Sequence, residues 1–339
     1  MSFNLIRLPD MRIIQLQTKR GLAAHGRMIR MNNQPKAEKI RHIVYVPGTT
    51  LKYPETAIRG AQSGPKIVVS AGVHSREYVG IEAAQKLAKR IDPENVCGEI
   101  TIVHAFNYDG LIKRSNDVFP GDGRNLNREF PGDANGSETQ RLAAYIEREV
   151  TGKADFAIDL HSGGGYENLT PHVYFHGSAA PEVCAQSEHM ARYVNVKYIV
   201  RSWAENGLYS YAGQMGVPSI LIERGECGLW SDEEAEADAA DVLNILRMLG
   251  ALKDGIAPVD RQPRVLDGGY YEDSPESGLW YPKKHVGDTI VKDECVGEIK
   301  DIFGEEKTKI YAKCDGVVLY QTASLGIETG RPMIAYGKL

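Results

Sequence analysis

No stretch of this 339-residue chain concentrates lysine or arginine, and the formal net charge is -5. Nucleic acid and an anionic membrane surface, both normally met by a basic patch, are thereby excluded as main partners. There is no apolar run of membrane-spanning length, and residues 1–7 lead into no uninterrupted apolar segment of the kind a signal peptide requires. The five cysteines (Cys97, Cys184, Cys227, Cys295 and Cys314) are odd in number, scattered, and never arranged as C-x-x-C. That pattern excludes a disulfide framework and reads as reduced thiols in a cytoplasmic protein. Repeats and low-complexity tracts are also missing, so no solenoid or disordered array is expected.

With 42% hydrophobic residues over this length, the chain can bury a substantial core. From about residue 66 to 250, short apolar runs alternate with longer amphipathic ones. The fold expected is α/β, a mostly parallel, mixed sheet flanked by helices. Strand candidates are residues 67–71, 100–105, 156–160, 173–175, 198–201 and 219–222. A helix over 78–91 places Ile81, Ala84, Leu87, Ala88 and Ile91 on one stripe and stops at Asp92-Pro93. Ser137 with Gln140, and Ser231 with Glu234, have capping-box spacing. The second of these opens a helix whose face of Val242, Leu243, Ile245, Leu246 and Leu249 ends at Gly250.

Beyond residue 255 glycines and prolines recur at turn density between β-rich pieces such as Val317-Val318-Leu319-Tyr320, which argues for a small C-terminal all-β domain. The first 60 residues carry strand-like pieces around 23–31 and 42–46. The division expected is therefore 1–60 as a β extension packed on the catalytic unit, 61–255 as the α/β catalytic domain, and 256–339 as a β-rich domain.

Three short segments end apolar runs with metal-binding chemistry: His74-Ser75-Arg76-Glu77, Asp159-Leu160-His161 and Ile222-Glu223-Arg224. Catalytic zinc is usually held by three nitrogen or oxygen ligands with one position open, and a carboxylate nearby takes a proton from water. His74, Glu77 and His161 suit the ligands, and Glu223 the base. H-x-x-E by itself is a common pairing, but the other residues lie at strand ends, where open α/β sheets build their sites. On that ground His74, Asn107, His161 and Glu223 can converge. Asp159, on the same side of its strand as His161, can accept a hydrogen bond from that imidazole. Glu223 follows a strongly apolar run and is costly to desolvate unless functional or paired, Arg224 being the rival explanation.

Between these segments, residues 107–114 and 122–132 are rich in Arg, Asn and Asp, and could face a substrate carboxylate. The set Gly-Val-His-Ser-Arg-Glu (72–77), Gly-Arg-Asn-Leu-Asn-Arg-Glu-Phe-Pro-Gly (123–132), Asp-Leu-His-Ser (159–162) and Glu-Arg-Gly (223–225) resembles the succinylglutamate desuccinylase/aspartoacylase family. These are zinc deacylases on the zinc carboxypeptidase-like fold. The resemblance implies one Zn2+ per chain at His74, Glu77 and His161, with Glu223 activating water. It further implies that Arg114, with Arg124 as a rival, polarises the scissile carbonyl while Asn127 and Arg128 hold the substrate's carboxylate.

The reaction so implied is hydrolysis of the amide bond of an N-acyl amino acid or related small amide. Ser75-Arg76 after the first histidine departs from the family pattern toward the carboxypeptidases, which keeps open release of a C-terminal residue from peptides. The tail resembles a biotinyl or lipoyl carrier fold, yet its Asp315-Gly316 turn lacks the flanked lysine of a carrier. It reads as a structural or gating domain. The partner expected is a small molecule bearing a carboxylate, without nucleic acid or membrane, and with self-association left open.

Overall fold

Residues 36–259 and 262–339 are described by the computed structural model. The strand-like piece around 23–31 lies outside them. The candidate at 42–46 falls largely within β1 (Glu38–Tyr45), which forms an antiparallel hairpin with β2 (Lys52–Arg59). Then follow β3 (Gln62–Ala71), α1 (Tyr78–Arg90), β4 (Cys97–Val103), α2 (Tyr108–Lys113), α3 (Glu138–Glu149) and β5 (Phe156–His161). After them come β6 (Glu167–Leu169), β7 (His172–His176), α4 (Pro181–Ala191), β8 (Tyr198–Ser202), α5 (Leu208–Gln214), β9 (Ser219–Glu223), α6 (Asp232–Met248) and β10 (Arg264–Leu266).

All these strands except β6 form one nine-stranded sheet in the order β1-β2-β4-β3-β5-β9-β7-β8-β10. The centre, β4-β3-β5-β9, is parallel; β7, β8 and β10 run parallel to one another and antiparallel to β9. Residues 67–71 of β3 are buried without a break, as a strand covered on both faces requires. The main core joins Ile67, Val69, Ile100, Ile158 and Ile222 of the sheet to the α1 stripe and to Val242, Ile245 and Leu246 of α6.

The expected caps form. Ser137 and Gln140 make a reciprocal capping box on α3, and Ser231 accepts from the Glu234 amide at the start of α6.

The tail adds β11 (Gly269–Asp273), β12 (Gly278–Pro282), β13 (Thr289–Ile290), β14 (Cys295–Lys300), β15 (Glu306–Tyr311), β16 (Gly316–Thr322), β17 (Gly326–Ile327) and β18 (Pro332–Lys338). One sheet runs β11-β18-β16-β13, a second β15-β14-β12-β17, and Trp280, Val296, Ile299, Val318, Met333 and Tyr336 fill the core between them. Two strands cross the division expected after residue 255. β10 joins the edge of the main sheet, while β6 pairs with β16 of the tail. This exchange makes the tail a wall of the cleft described below.

One close approach sets the geometry of that cleft. A Cβ on Gly80 of α1 would sit 2.7 Å from Leu160 Cβ and 2.9 Å from the Leu160 carbonyl oxygen, so only glycine lets the helix lie this close to β5. In an isolated helix alanine would be favoured by about 1 kcal/mol. Overpacking against a fixed strand costs about 1–3 kcal/mol and should win. Gly80→Ala is therefore expected to lower stability in urea unfolding; an unchanged or raised midpoint would contradict this packing account.

Candidate metal centre and its cleft

The turn after β3 carries His74, and its backbone closes on itself through the Glu77 amide donating to the His74 carbonyl (3.4 Å). Glu77 is the N-cap residue of α1. Its carboxylate therefore points back across the turn, and Oε1 lies 2.6 Å from His74 Nδ1. His161, the last residue of β5, brings its Nδ1 to 2.8 Å from the other oxygen of Glu77. The rings of His74 and His161 meet edge to face with centroids 5.1 Å apart. One ligating atom from each of the three residues lies within 4.8 Å of the others. His74, Glu77 and His161 are thus brought together, as the sequence pattern required.

The outer nitrogens of the two imidazoles are already engaged. His161 Nε2 lies 3.0 Å from Asp159 Oδ2, and His74 Nε2 lies 3.0 Å from Asn125 Oδ1. Both partners are oxygens that accept, and with the ring proton on Nε2 each Nδ1 turns its lone pair toward the Glu77 carboxylate. Two lone pairs and a carboxylate then converge on one buried point. Only positive charge stabilises that arrangement, whether protons or a metal ion. The titration shifts agree. Burial opposes charge on both rings, but Glu77 overrides it and raises His74 and, with Asp159, raises His161 well above the ordinary imidazole range. Burial likewise opposes the Glu77 carboxylate, and the two imidazoles nevertheless pull it down to about 2.

Asp159 is itself fixed by the Ser70 hydroxyl, which donates at 2.7 Å. The expected support of His161 by the carboxylate two residues earlier is present.

Glu223 ends β9 directly opposite His161 in the parallel ladder, so the two side chains share a face. The rival ion pair with Arg224 does not form. Arg224 points to the other side of the sheet edge and is buried against Asp238 and Asp241, the latter at 2.7 Å. The Glu223 carboxylate makes no hydrogen bond among the described residues. Burial first, and the charge of Glu77 next, hold its acid form well above the usual carboxylate range.

A cleft of about 1220 Å3 opens over this cluster, lined by His74, Glu77, His161 and Glu223 together with Asn127 and Arg128. Asn127 Oδ1 accepts from the Leu208 amide (2.9 Å) at the start of α5, which leaves the NH2 group of the same side chain without a partner among the described residues. Two expectations fail. Arg114 is the left-handed C-cap of α2 (φ 55°), its side chain is exposed, and it does not line the cleft. Its rival Arg124 pairs with Glu129 at 3.0 Å. Asn107 does not join the site either, because its side chain caps α2 at Gly110 and donates to the Val118 carbonyl.

Other walls were not read from the sequence. Arg76 packs over Gly165, where a Cβ would lie 2.1 Å from Arg76 Nη1. Glu167, raised to about 7 chiefly by burial, and Asp117 flank the glycine loop after β5. From the tail, Tyr271, Tyr320 and Arg331 reach the cleft, and the Tyr271 hydroxyl donates to that of Tyr174 at 3.0 Å. The turn residue Ser75-Arg76 carried one available signal, an arginine next to a candidate ligand. The tyrosines carried none, since they come from strands of the tail, remote in sequence from the cluster.

Comparisons with known proteins agree with this geometry. The family described as "Succinylglutamate desuccinylase/Aspartoacylase catalytic domain" matches residues 63–249. The chain is similar to N-alpha-acetyl-L-2,4-diaminobutyric acid deacetylase of Halomonas elongata, 27% identical over 286 residues that cover 82% of this chain and 83% of that protein. Among solved structures it is similar to a succinylglutamate desuccinylase/aspartoacylase from Rhodobacter sphaeroides, with TM-score 0.77, 26% identity, and coverage of 89% of this chain and 95% of the other. The product-bound ectoine utilization protein EutE (DoeB) of Ruegeria pomeroyi shares the fold with TM-score 0.78 at 24% identity, covering 90% and 95%.

The Arg224 ion-pair network should be the main structural anchor of the Glu223 strand end. Replacing Arg224 with Leu leaves two buried carboxylates and is expected to cost about 3–5 kcal/mol. Unpaired, those carboxylates titrate higher in the folded chain than in the unfolded one, so the native state binds more protons and its stability falls as pH rises. The loss in urea unfolding should accordingly be larger at pH 8 than at pH 6; an equal or smaller loss at pH 8 would contradict the assignment.

Proposed function

Since the chain belongs to the succinylglutamate desuccinylase/aspartoacylase family, we propose that it is a zinc-dependent hydrolase that cleaves the amide bond of an N-acyl amino acid. The observation that carries this reading is the convergence of two Nδ1 atoms and the Glu77 carboxylate at one buried point, with Glu223, unpaired among the described residues, on the adjacent strand. The named activity of the Halomonas relative, a deacetylase of an α-N-acetylated amino acid, supports it over release of a residue from peptides.

His74, Glu77 and His161 would hold the ion, one per chain. Two imidazoles and a carboxylate are a ligand set that catalytic zinc accepts while leaving a position open. When bound there, zinc supplies Lewis acidity and allows water to ionise at a pKa of roughly 7 instead of 15.7. Glu223 takes the proton of the attacking water and later delivers it to the departing amine. A carboxyl group whose acid form is favoured by burial and by the neighbouring Glu77 charge returns a proton more readily than a solvated carboxylate. The NH2 of Asn127 and the guanidinium of Arg128 hold the substrate's carboxylate at the cleft wall. No role in polarising the carbonyl falls to Arg114, which stands outside the cleft.

None of the five cysteines is disulfide-bonded, and no helix among the described residues is long and apolar enough to cross a membrane. The free thiols fit a reducing setting such as the cytoplasm.

Glu223→Gln should retain wild-type zinc content and lose about 10²- to 10⁴-fold in kcat on N-acyl amino acids, as expected for loss of a general base. Full turnover in that variant would refute the base, and wild-type turnover of dipeptides alone would refute the substrate class. Asp159→Asn should weaken zinc binding by about 10- to 100-fold in competition with a chelator; unchanged affinity would remove Asp159 from the support of His161.

A further inference from the structure

His172 is used by none of the chemistry above, yet it stands in the same row. It opens β7 directly opposite Glu223 in the antiparallel ladder, so His161, Glu223 and His172 lie side by side on three neighbouring strands with their side chains on one face. The imidazole is 2% exposed and lines the cleft. Its Nδ1 lies 2.7 Å from the Thr170 carbonyl oxygen, which can only accept, so that nitrogen carries the proton. Nε2 is then a bare acceptor, and it has no hydrogen-bond partner among the described residues. The ring of Tyr174 packs against it edge to face with centroids 4.7 Å apart and holds its orientation.

A buried acceptor without a donor is costly and uncommon, and it calls for a donor from a molecule bound in the cleft. Burial depresses this imidazole to about 4, so the ring stays neutral and the acceptor stays available at physiological pH.

Resting on the deacylase reading, we infer that His172 Nε2 accepts a hydrogen bond from the N–H of the scissile amide, and so makes the cleft selective for secondary amides. The placement follows from the row. The candidate ligands lie on the His161 side of Glu223, and the carbonyl belongs there. The amide nitrogen must be near Glu223 to receive its proton, and its own hydrogen then faces the remaining neighbour, His172. An ester presents a lone pair at that position in place of a donor, and a site built around an acceptor rejects such an analogue.

The test compares an N-acetyl amino acid with the O-acetyl ester of the matching 2-hydroxy acid, using zinc-loaded wild type, His172→Phe and His172→Gln. Zinc content and thermal midpoint are measured for each protein. The amide-to-ester ratio of kcat/KM should fall by about tenfold or more in His172→Phe. It should recover in part in His172→Gln, whose amide oxygen can accept and which serves alone if the Phe variant does not fold. Equal loss on both substrates, or an unchanged ratio, would overturn the assignment and leave the deacylase reading standing. Wild type that hydrolyses neither substrate would overturn both.

Discussion

Everything in this protein that bears on function is arranged around a shared carboxylate. Glu77 lies between the Nδ1 atoms of His74 and His161, and the opposite nitrogen of each ring is already committed to an oxygen acceptor. With the ring protons on those outer nitrogens, inward-facing lone pairs stand beside a negative charge in a buried place. Such a group of acceptors is unfavourable unless a cation sits among them.

The fold supplies this constraint through backbone register. β5 and β9 are parallel neighbours, so their terminal residues His161 and Glu223 stand side by side. The Gly80–Leu160 contact presses α1, and with it Glu77, against the end of β5. On the far side Arg224 is drawn toward α6 by Asp238 and Asp241, which turns the residue after Glu223 away from the cleft and leaves Glu223 without an ion-pair partner among the described residues. The tail contributes differently. By exchanging β6 and β10 with the main sheet it brings Tyr271, Tyr320 and Arg331 over the cluster, and a cleft open on the sheet side becomes walled.

The parts of the site that lie at the ends of apolar strands were legible in the sequence, because strand ends in an α/β sheet must come together whatever the helices do. His74, Glu77, Asp159, His161 and Glu223 all fall in that class. Asn107 follows a strand as well, but its side chain had a local use as a helix cap, and local hydrogen bonds of that kind outcompete distant ones. Arg114 was inferred from resemblance, in a loop whose course no periodicity constrains; there a left-handed cap turns the side chain to solvent. His172 was hidden beside the apolar run 173–175, where a histidine looks like a strand terminus. Only the pairing of β7 with β9 shows that it faces Glu223.

The central claim is most directly tested by crystals of the wild-type protein grown with zinc and measured across the zinc absorption edge. The account predicts a single strong peak of anomalous density bounded by His74 Nδ1, the Glu77 carboxylate and His161 Nδ1. A cleft without that peak, or zinc bound at other residues while these three keep their mutual contacts, would contradict it.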